Sequence, residues 1–121
     1  MTRLRCYIVV VLCCPAIVCA DVAQNKKHEI DYLLRFVRDS ACHIDIHGDN
    51  LTGVYASAHI QQQYQLHIRD ILSAEDFISS AASRSRIAGK YSMVACPHKP
   101  AVRTIDWLQR ALNVYRLKRR F

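Results

Sequence analysis

The sequence predicts an α+β fold, with about four helices packed on a small antiparallel sheet and stapled by one disulfide. Three observations predict it. Several stretches carry apolar residues at helical spacing, two short runs have the composition of strands, and two cysteines follow an apolar leader. With 121 residues, 51% of them hydrophobic, the chain is long enough for one compact domain. This composition excludes a disordered or collagen-like protein.

The first twenty residues have the pattern of a signal peptide. Met1 to Arg5 is basic, Cys6 to Ile17 is almost wholly apolar, and Val18-Cys19-Ala20 matches a signal-peptidase site. The apolar run is shorter than the about 20 residues that a bilayer span requires. We therefore expect cleavage after Ala20, export to the periplasm, and no transmembrane segment in residues 21–121, which form a single domain.

Only two cysteines remain after such a cleavage. Cys42 and Cys96 lie in residues 21–121, and paired cysteines in an exported chain predict a disulfide. Buried free thiols or a shared metal ion are the alternatives. A zinc site would need further ligands, and the processed chain has no second cysteine pair.

Positive charge is concentrated in the C-terminal part of the chain. From Phe77 to Phe121 the sequence is rich in Lys and Arg, and its single acid is Asp106. This pattern is typical of proteins with an anionic partner, such as a lipid headgroup, lipopolysaccharide or an acidic protein surface, and an exported protein is not expected to bind nucleic acid. For the charge pattern alone we favour the other interpretation, a solvated basic tail, Arg116 to Arg120, that complements a helix C-terminus. The oligomeric state is left open.

The spacing of apolar residues predicts the first helix and the first strand. From Asn25 to Ser40, Ile30, Leu33 and Val37 recur at helical spacing, which predicts an amphipathic helix. Cys42 to His47 then alternates polar and apolar residues, which predicts a strand with one buried face. Gly48-Asp49-Asn50 is turn chemistry, so the strand is expected to end there.

Two further helices are predicted in the middle of the chain. Thr52 is the expected cap of a second helix that reaches about Leu72. Ser73-Ala74-Glu75-Asp76 supplies a capping hydroxyl and first-turn acids, so a third helix should start there. Gly89 is expected to stop or turn the chain after it.

The last part of the chain predicts a strand and a helix. Tyr91 to Cys96 is a β-type run, which a disulfide would draw beside the first strand, and Pro97 to Pro100 breaks the chain. Thr104 is the expected cap of a final helix. Its predicted buried stripe consists of Ile105, Trp107, Leu108, Leu112 and Tyr115.

Motifs between Asp31 and Tyr115 are shared with a known family. They are Tyr32-Leu33-Leu34, Cys42, Gly48, Ala56 to His59, Tyr64, Ser73 to Ile78, Ala82-Ser83, Ser85, Gly89-Lys90, Val94, Cys96 and Trp107-Leu108. In these residues the chain resembles a family of small exported proteins, mostly proteobacterial and of unknown function, that includes the YfeK-type periplasmic proteins. The resemblance implies a secreted or periplasmic protein of one domain and implies no activity. The family favours Asn-Gly where this chain has His47-Gly48.

The segment from Ser83 to Lys90 is the main candidate binding site. It combines hydroxyls, guanidinium groups and an ammonium at the predicted end of the third helix, a chemistry suited to a carboxylate, a phosphate or a sulfated sugar. The alternative is a C-terminal helix cap followed by glycine. The candidate residues are Ser83, Ser85, Arg86, Gly89 and Lys90, with Glu75 and His59 as possible neighbours.

A metal site and a catalytic site are the alternatives to a binding module. His43, Asp45 and His47 fall on one face of the predicted strand, as two imidazoles and a carboxylate could for a divalent ion, although a solvated strand face has the same pattern. The sequence has no nucleophile elbow and no phosphate loop. A small envelope hydrolase using His59 with Ser83 or Ser85 stays open, because triads are recognised by geometry. The leading expectation is a non-enzymatic binding or interaction module for an anionic envelope component or protein, without a cofactor.

Processing gives the first testable prediction. If cleavage follows Ala20, the purified protein starts at Asp21 and has no free thiol. Intact mass before and after alkylation under non-reducing, denaturing conditions measures both properties. Alkylation of Cys42 in the freshly purified protein would contradict the disulfide.

Overall fold

A computed structural model of the chain describes residues 24–84 and 89–120. The predicted signal peptide, its cleavage site, Ser85 and Arg86 lie outside the described residues. In chain order the elements are α1 (24–39), β1 (His43–Ile46), β2 (Asp49–Thr52), α2 (Gly53–Leu66), a 3-10 turn (Ile68–Asp70), α3 (Ala74–Arg84), β3 (Met93–Ala95), β4 (Val102–Arg103) and α4 (Thr104–Arg120). The predicted α+β fold is confirmed.

The four strands form one antiparallel sheet in the order β2-β1-β3-β4. Ile44 of β1 lies opposite Leu51 of β2 on one side and opposite Val94 of β3 on the other. Ile44 and Val94 are fully buried, so the centre of the sheet is also part of the core. Strands β1 and β3 therefore form the middle of the sheet, and β2 and β4 its edges.

The predicted disulfide joins these two central strands. Cys42 precedes β1 and Cys96 follows β3, next to the paired residues His43 and Ala95, and the two sulfurs are bonded at 2.01 Å. The bond links positions 54 residues apart in sequence. Because the long segment between them includes α2 and α3, the bond constrains the whole middle of the chain.

The β1–β2 hairpin differs from the sequence prediction. The turn consists of His47 and Gly48, with φ of 53° and 86°, and Asp49 already belongs to β2. Positive φ at both central residues is the geometry of the two-residue turns that match strand twist. The amide of Gly48 donates to Asp45 Oδ1 at 2.9 Å, which holds the turn. Strand β2 was not predicted because Asp and Asn are poor strand formers.

One hydrophobic cluster joins the helices to the sheet. It combines the predicted apolar stripes of α1, α3 and α4 with the inner positions of β1 and β3. Its largest fully buried aliphatic side chains are Ile30, Leu33, Val37, Ile44, Ile78, Val94, Leu108 and Leu112. Burial of each such side chain contributes roughly 1.5–3 kcal/mol before the entropy of ordering the chain is counted.

Helices α1 and α2 meet closely at the end of α1. A Cβ atom on Gly53 would overlap the carbonyl oxygen of Val37, so only glycine fits this position without a shift. Ser57 of α2 donates its hydroxyl proton to the Leu34 carbonyl at 2.9 Å. The first turn of α2 is thereby fixed against the last turns of α1.

Helix α3 starts where the sequence predicts, whereas helix α2 ends earlier than predicted. The amide of Asp76 donates to Ser73 Oγ at 3.1 Å, and the amide of Leu72 donates to Asp76 Oδ2 at 3.0 Å. Helix α2 ends at Leu66 rather than near Leu72, and a 3-10 turn follows it. Thr52 occupies the cap position of α2 without a side-chain capping bond.

Helix α4 buries a narrower stripe than predicted. Leu108 and Leu112 are fully buried, whereas Ile105 is 37% exposed. Trp107 and Tyr115 are half-buried. The ring of Trp107 lies tilted against Phe36 at a centroid distance of 4.7 Å, and the ring of Tyr115 stacks on Tyr32 at 4.5 Å. Within residues 24–84 and 89–120, neither α4 nor any other helix is long and apolar enough to cross a membrane.

The disulfide gives a stability prediction. Replacing both Cys42 and Cys96 by Ala should lower the free energy of unfolding by about 2–5 kcal/mol, because the unfolded chain regains the freedom of a long loop. Urea denaturation midpoints, measured with and without reductant, test this. The double variant is the control, since reductant should not change its midpoint. A wild-type midpoint that reductant leaves unchanged would contradict the prediction.

Candidate functional site

Helix α3 has two chemically different faces. Phe77, Ile78 and Ala81 are buried in the core, whereas Ser79 and Ser83 are exposed. Because Ser79 and Ser83 are four residues apart, their hydroxyls lie one turn above each other on the outer face. The sequence of α3 thus places a pair of hydroxyl groups on a helix that the core holds rigidly.

A polar groove runs along one side of this hydroxyl pair. Its volume is about 730 Å³, and it lies between α3, the end of α2, the 3-10 turn and the β1–β2 turn. Lysine and arginine are absent from the lining described for it. The lining residues are His47, Gln63, His67, Asp70, Ile71, Asp76, Ser79, Ser80 and Ser83.

His47 reaches this groove because of its backbone conformation. Its φ of 53° is uncommon for a residue other than glycine, and it places the ring at 5.7 Å from the ring of His59 in an edge-on contact. The Nε2 atom of His59 is buried and has no hydrogen-bond partner among the residues that the structure describes. The expected hydrolase pairing of His59 with Ser83 is therefore not formed through this nitrogen, and Ser85, the other expected partner, lies outside the described residues.

A second depression, the Arg103 cleft, lies on the other side of the same hydroxyl pair. Its volume is about 240 Å³, and it is lined by Ser79, Ala82, Ser83, Tyr91, Ser92, Arg103 and Ile105. The guanidinium carbon of Arg103 lies 4.0 Å from the centre of the Tyr91 ring, a cation–π contact. No carboxylate pairs with Arg103 within the described part of the chain. Its hydrogen-bond donors can therefore serve an external anion.

A buried pair of hydroxyls fixes the strand that carries Arg103. Ser92 Oγ donates to the Asp45 carbonyl at 2.7 Å and lies 2.8 Å from Thr104 Oγ1. Because the Ser92 proton is used on the carbonyl, Thr104 donates to Ser92. The Thr104 amide also donates to the Ser92 carbonyl at 2.9 Å. These bonds connect β1, the start of β3 and the start of α4, and they hold the residue before Thr104 in place.

The comparison with known families gives one match. A family of unknown function, DUF5329, matches residues 24–116. The chain belongs to this family. No curated protein and no solved structure matches the chain. The family resemblance that the sequence predicted is confirmed at the level of an uncharacterised family. The matched region includes Cys42, Cys96 and the described residues that line the two depressions.

Six of the seven predicted binding residues fall into three groups. Ser83 lines both the polar groove and the Arg103 cleft. His59 is not in the lining described for the groove, but its ring contacts the lining residue His47. Gly89 and Lys90 are exposed just after the gap in the described residues, and Gly89 has the positive φ of 74° expected for a turn after a helix. Ser85 and Arg86 lie outside the described residues.

Glu75 is the predicted residue that the structure places elsewhere. It lies in the first turn of α3, about two turns before Ser83, and it pairs with Arg116 of α4. Arg116 also donates to both oxygens of Glu29 in α1, at 2.6 and 3.0 Å. Glu75 therefore belongs to an ion-pair network between three helices, and it lines neither depression.

The structure gives no support to the metal alternative. His43 and Asp45 lie on the same face of β1, as predicted, but His47 lies beyond the strand in the turn and contacts His59 instead. Among the residues that the structure describes, no group of three or more His, Cys, Asp or Glu side chains is arranged to hold a metal ion.

Sequence reasoning missed Arg103 and the role of Ser79. The four-residue spacing of Ser79 and Ser83 on a helix was a usable signal, because it places both hydroxyls on one face. Arg103 gave no such signal, since β4 has only two residues and its position beside α3 depends on sheet pairing with β3.

The Arg116 network gives a pH prediction. Hydrogen bonding to Arg116 is the main reason that the pKa of Glu75 lies below its ordinary value of 4.5. A lowered pKa contributes stability that is present above pH 4.5 and is lost as the pH falls further. Because the Glu75 side chain is 46% exposed, Glu75→Gln should cost only roughly 0.5–1 kcal/mol at pH 7.

Urea midpoints at pH 7 and pH 3 measure this effect. The difference between wild type and Glu75→Gln should be present at pH 7 and should shrink at pH 3. Asp49→Asn is the matched control, because it removes an exposed carboxylate that has no cation partner in the described part of the chain. A cost of Glu75→Gln that is equal at both pH values would contradict the assignment.

Proposed function

We propose that this protein is a non-enzymatic binding module of the periplasm that holds an acidic saccharide across α3. The anionic group of the ligand sits in the Arg103 cleft, and its hydroxyl groups extend over Ser79 and Ser83 into the polar groove. The observation that carries the proposal is that Arg103, which has no carboxylate partner among the described residues, lies beside two hydroxyls that line both depressions.

The Arg103 cleft has the chemistry of an anion subsite. A guanidinium group presents several donors in a fixed plane and binds carboxylate, phosphate or sulfate through charge-assisted hydrogen bonds. Stacking on Tyr91 limits the motion of the Arg103 side chain before the ligand arrives, which lowers the entropy cost of binding. At about 240 Å³, the cleft is below the common range of about 300–1,000 Å³, so it suits one small anionic group.

The polar groove suits the uncharged, hydroxylated part of such a ligand. Its lining offers imidazole, amide, hydroxyl and carboxylate groups, which together can donate to and accept from sugar hydroxyls. Asp70 and Asp76 would repel an anionic group in this groove, and no lysine or arginine in its described lining would attract one. The Arg103 cleft therefore favours the anionic end of a ligand, and the polar groove favours its uncharged, hydroxylated end.

The proposed compartment follows from the cysteines and the leader. A disulfide forms and persists in oxidising compartments, and the chain pairs Cys42 with Cys96. The pattern of residues 1–20 is that of an export signal. Both features support a periplasmic protein, including one of the proteobacterial, YfeK-type kind that the sequence resembles.

Matched saccharides test the proposed site. Trehalose 6-phosphate, glucose 6-phosphate and digalacturonic acid serve as acidic probes, with trehalose and inorganic phosphate as the two separate halves of the first probe. In calorimetric titrations at low ionic strength, at least one acidic probe should bind more tightly than trehalose or phosphate. Arg103→Gln should weaken that binding about tenfold or more, since a hydrogen bond to a charged group contributes about 1.5–3 kcal/mol.

Two further variants separate the halves of the site. Ser79→Ala/Ser83→Ala should weaken the acidic saccharide more than inorganic phosphate, because the hydroxyls also contact the sugar. Arg110→Gln is the control, because Arg110 is exposed on α4 and lines neither depression. Equal binding by Arg103→Gln and wild type, or no binding of any acidic probe, would contradict the proposal.

A further inference from the structure

Three chain segments meet at the end of the molecule where α1 begins and α4 ends. Lys26 Nζ in the first turn of α1 donates to the carbonyl of Ile71 at 3.2 Å. Arg119 in the last turn of α4 donates to Asn25 Oδ1 at 3.3 Å. We call this end the basic pole and define it as residues 24–27, 66–72 and 116–120.

The basic pole carries cations that the fold does not use. Lys27, Arg69, Lys118 and Arg120 are exposed, and none of them pairs with a carboxylate within the described residues. Arg116 differs from them, because it binds Glu29 and Glu75. Asp70 is the one acid among the residues that define the pole, and it is outnumbered by these exposed cations. The charge that faces solvent there is therefore predominantly positive.

The same pole exposes large aliphatic side chains. Leu66 is 68% exposed, Leu72 72%, Leu117 55% and Ile68 44%. Leu72 is next to the carbonyl that Lys26 binds, and Leu117 is next to Arg116, which pairs with the first turn of α3. The hydrogen bonds thus bring the segments that carry these leucines and cations to one end of the molecule.

We propose that the basic pole docks the protein on a membrane surface that contains anionic phospholipid. Aliphatic side chains flanked by Lys and Arg are the composition of interfacial membrane anchors, since the cations contact the headgroups and the aliphatic groups enter the boundary with the acyl chains. The charge complementarity favours lipid over a neutral protein surface. The pole borders the polar groove through His67, Asp70 and Ile71, whereas none of its residues lines the Arg103 cleft.

Vesicle co-sedimentation of the full chain tests this surface. Wild type should bind vesicles of phosphatidylglycerol and phosphatidylcholine, bind pure phosphatidylcholine much more weakly, and lose affinity as salt screens the charges. Lys118→Gln/Arg120→Gln should weaken binding about 25-fold, at about fivefold for each cation removed. Leu72→Ser/Leu117→Ser should remove the part of the binding that survives high salt.

Matched variants away from the pole are the controls. Arg35→Gln/Arg110→Gln removes two exposed charges, and Val54→Ser/Tyr55→Ser removes two exposed apolar side chains near the opposite end of α2. Both should bind vesicles like wild type, and so should Arg103→Gln, which separates this inference from the saccharide site. Equal binding to both kinds of vesicle, or equal weakening by the control variants, would overturn the proposal.

Discussion

The join between β1 and β3 is the constraint on which the rest of the structure depends. The Cys42–Cys96 bond fixes one end of this strand pair, and the Ser92 hydroxyl, bonded to the Asp45 carbonyl, fixes the other. Thr104 extends the second tie into α4. Because β1 and β3 are far apart in sequence, their pairing closes a long loop, and these ties hold it closed.

Helix α3 contributes residues to both depressions of the candidate site, and the sheet fixes the elements around it. Its inner face, with Phe77 and Ile78, is held in the core, so its outer hydroxyls have fixed positions. Strand β4 pairs with β3 and places Arg103 beside those hydroxyls. The hairpin turn places His47 on the other side. The site is therefore assembled from elements that the sheet brings together, and α3 alone would not form it.

The sequence predicted the helix start that a local pattern encodes, and it predicted the disulfide from the number of cysteines. The start of α3 was predictable because Ser73 and Asp76 supply the cap, and the disulfide because Cys42 and Cys96 are the only cysteines after residue 20. The edge strands were not, since β2 begins with Asp49 and β4 has two residues. The chemistry of Ser83 made it a candidate binding residue, and it lines both depressions. Arg103 could not be chosen from the sequence, because its position beside α3 depends on the pairing of β3 with β4.

We propose that one ligand spans both sides of α3. Amide chemical shifts recorded while the ¹⁵N-labelled protein is titrated with trehalose 6-phosphate test it most directly, because they locate the ligand without a mutation. If one ligand spans both depressions, saturable amide shifts are expected at Ser79, Ser83 and Arg103 around the Arg103 cleft, and at Gln63 or His67 in the polar groove. Shifts confined to residues 116–120, or to one side of α3 alone, would contradict it.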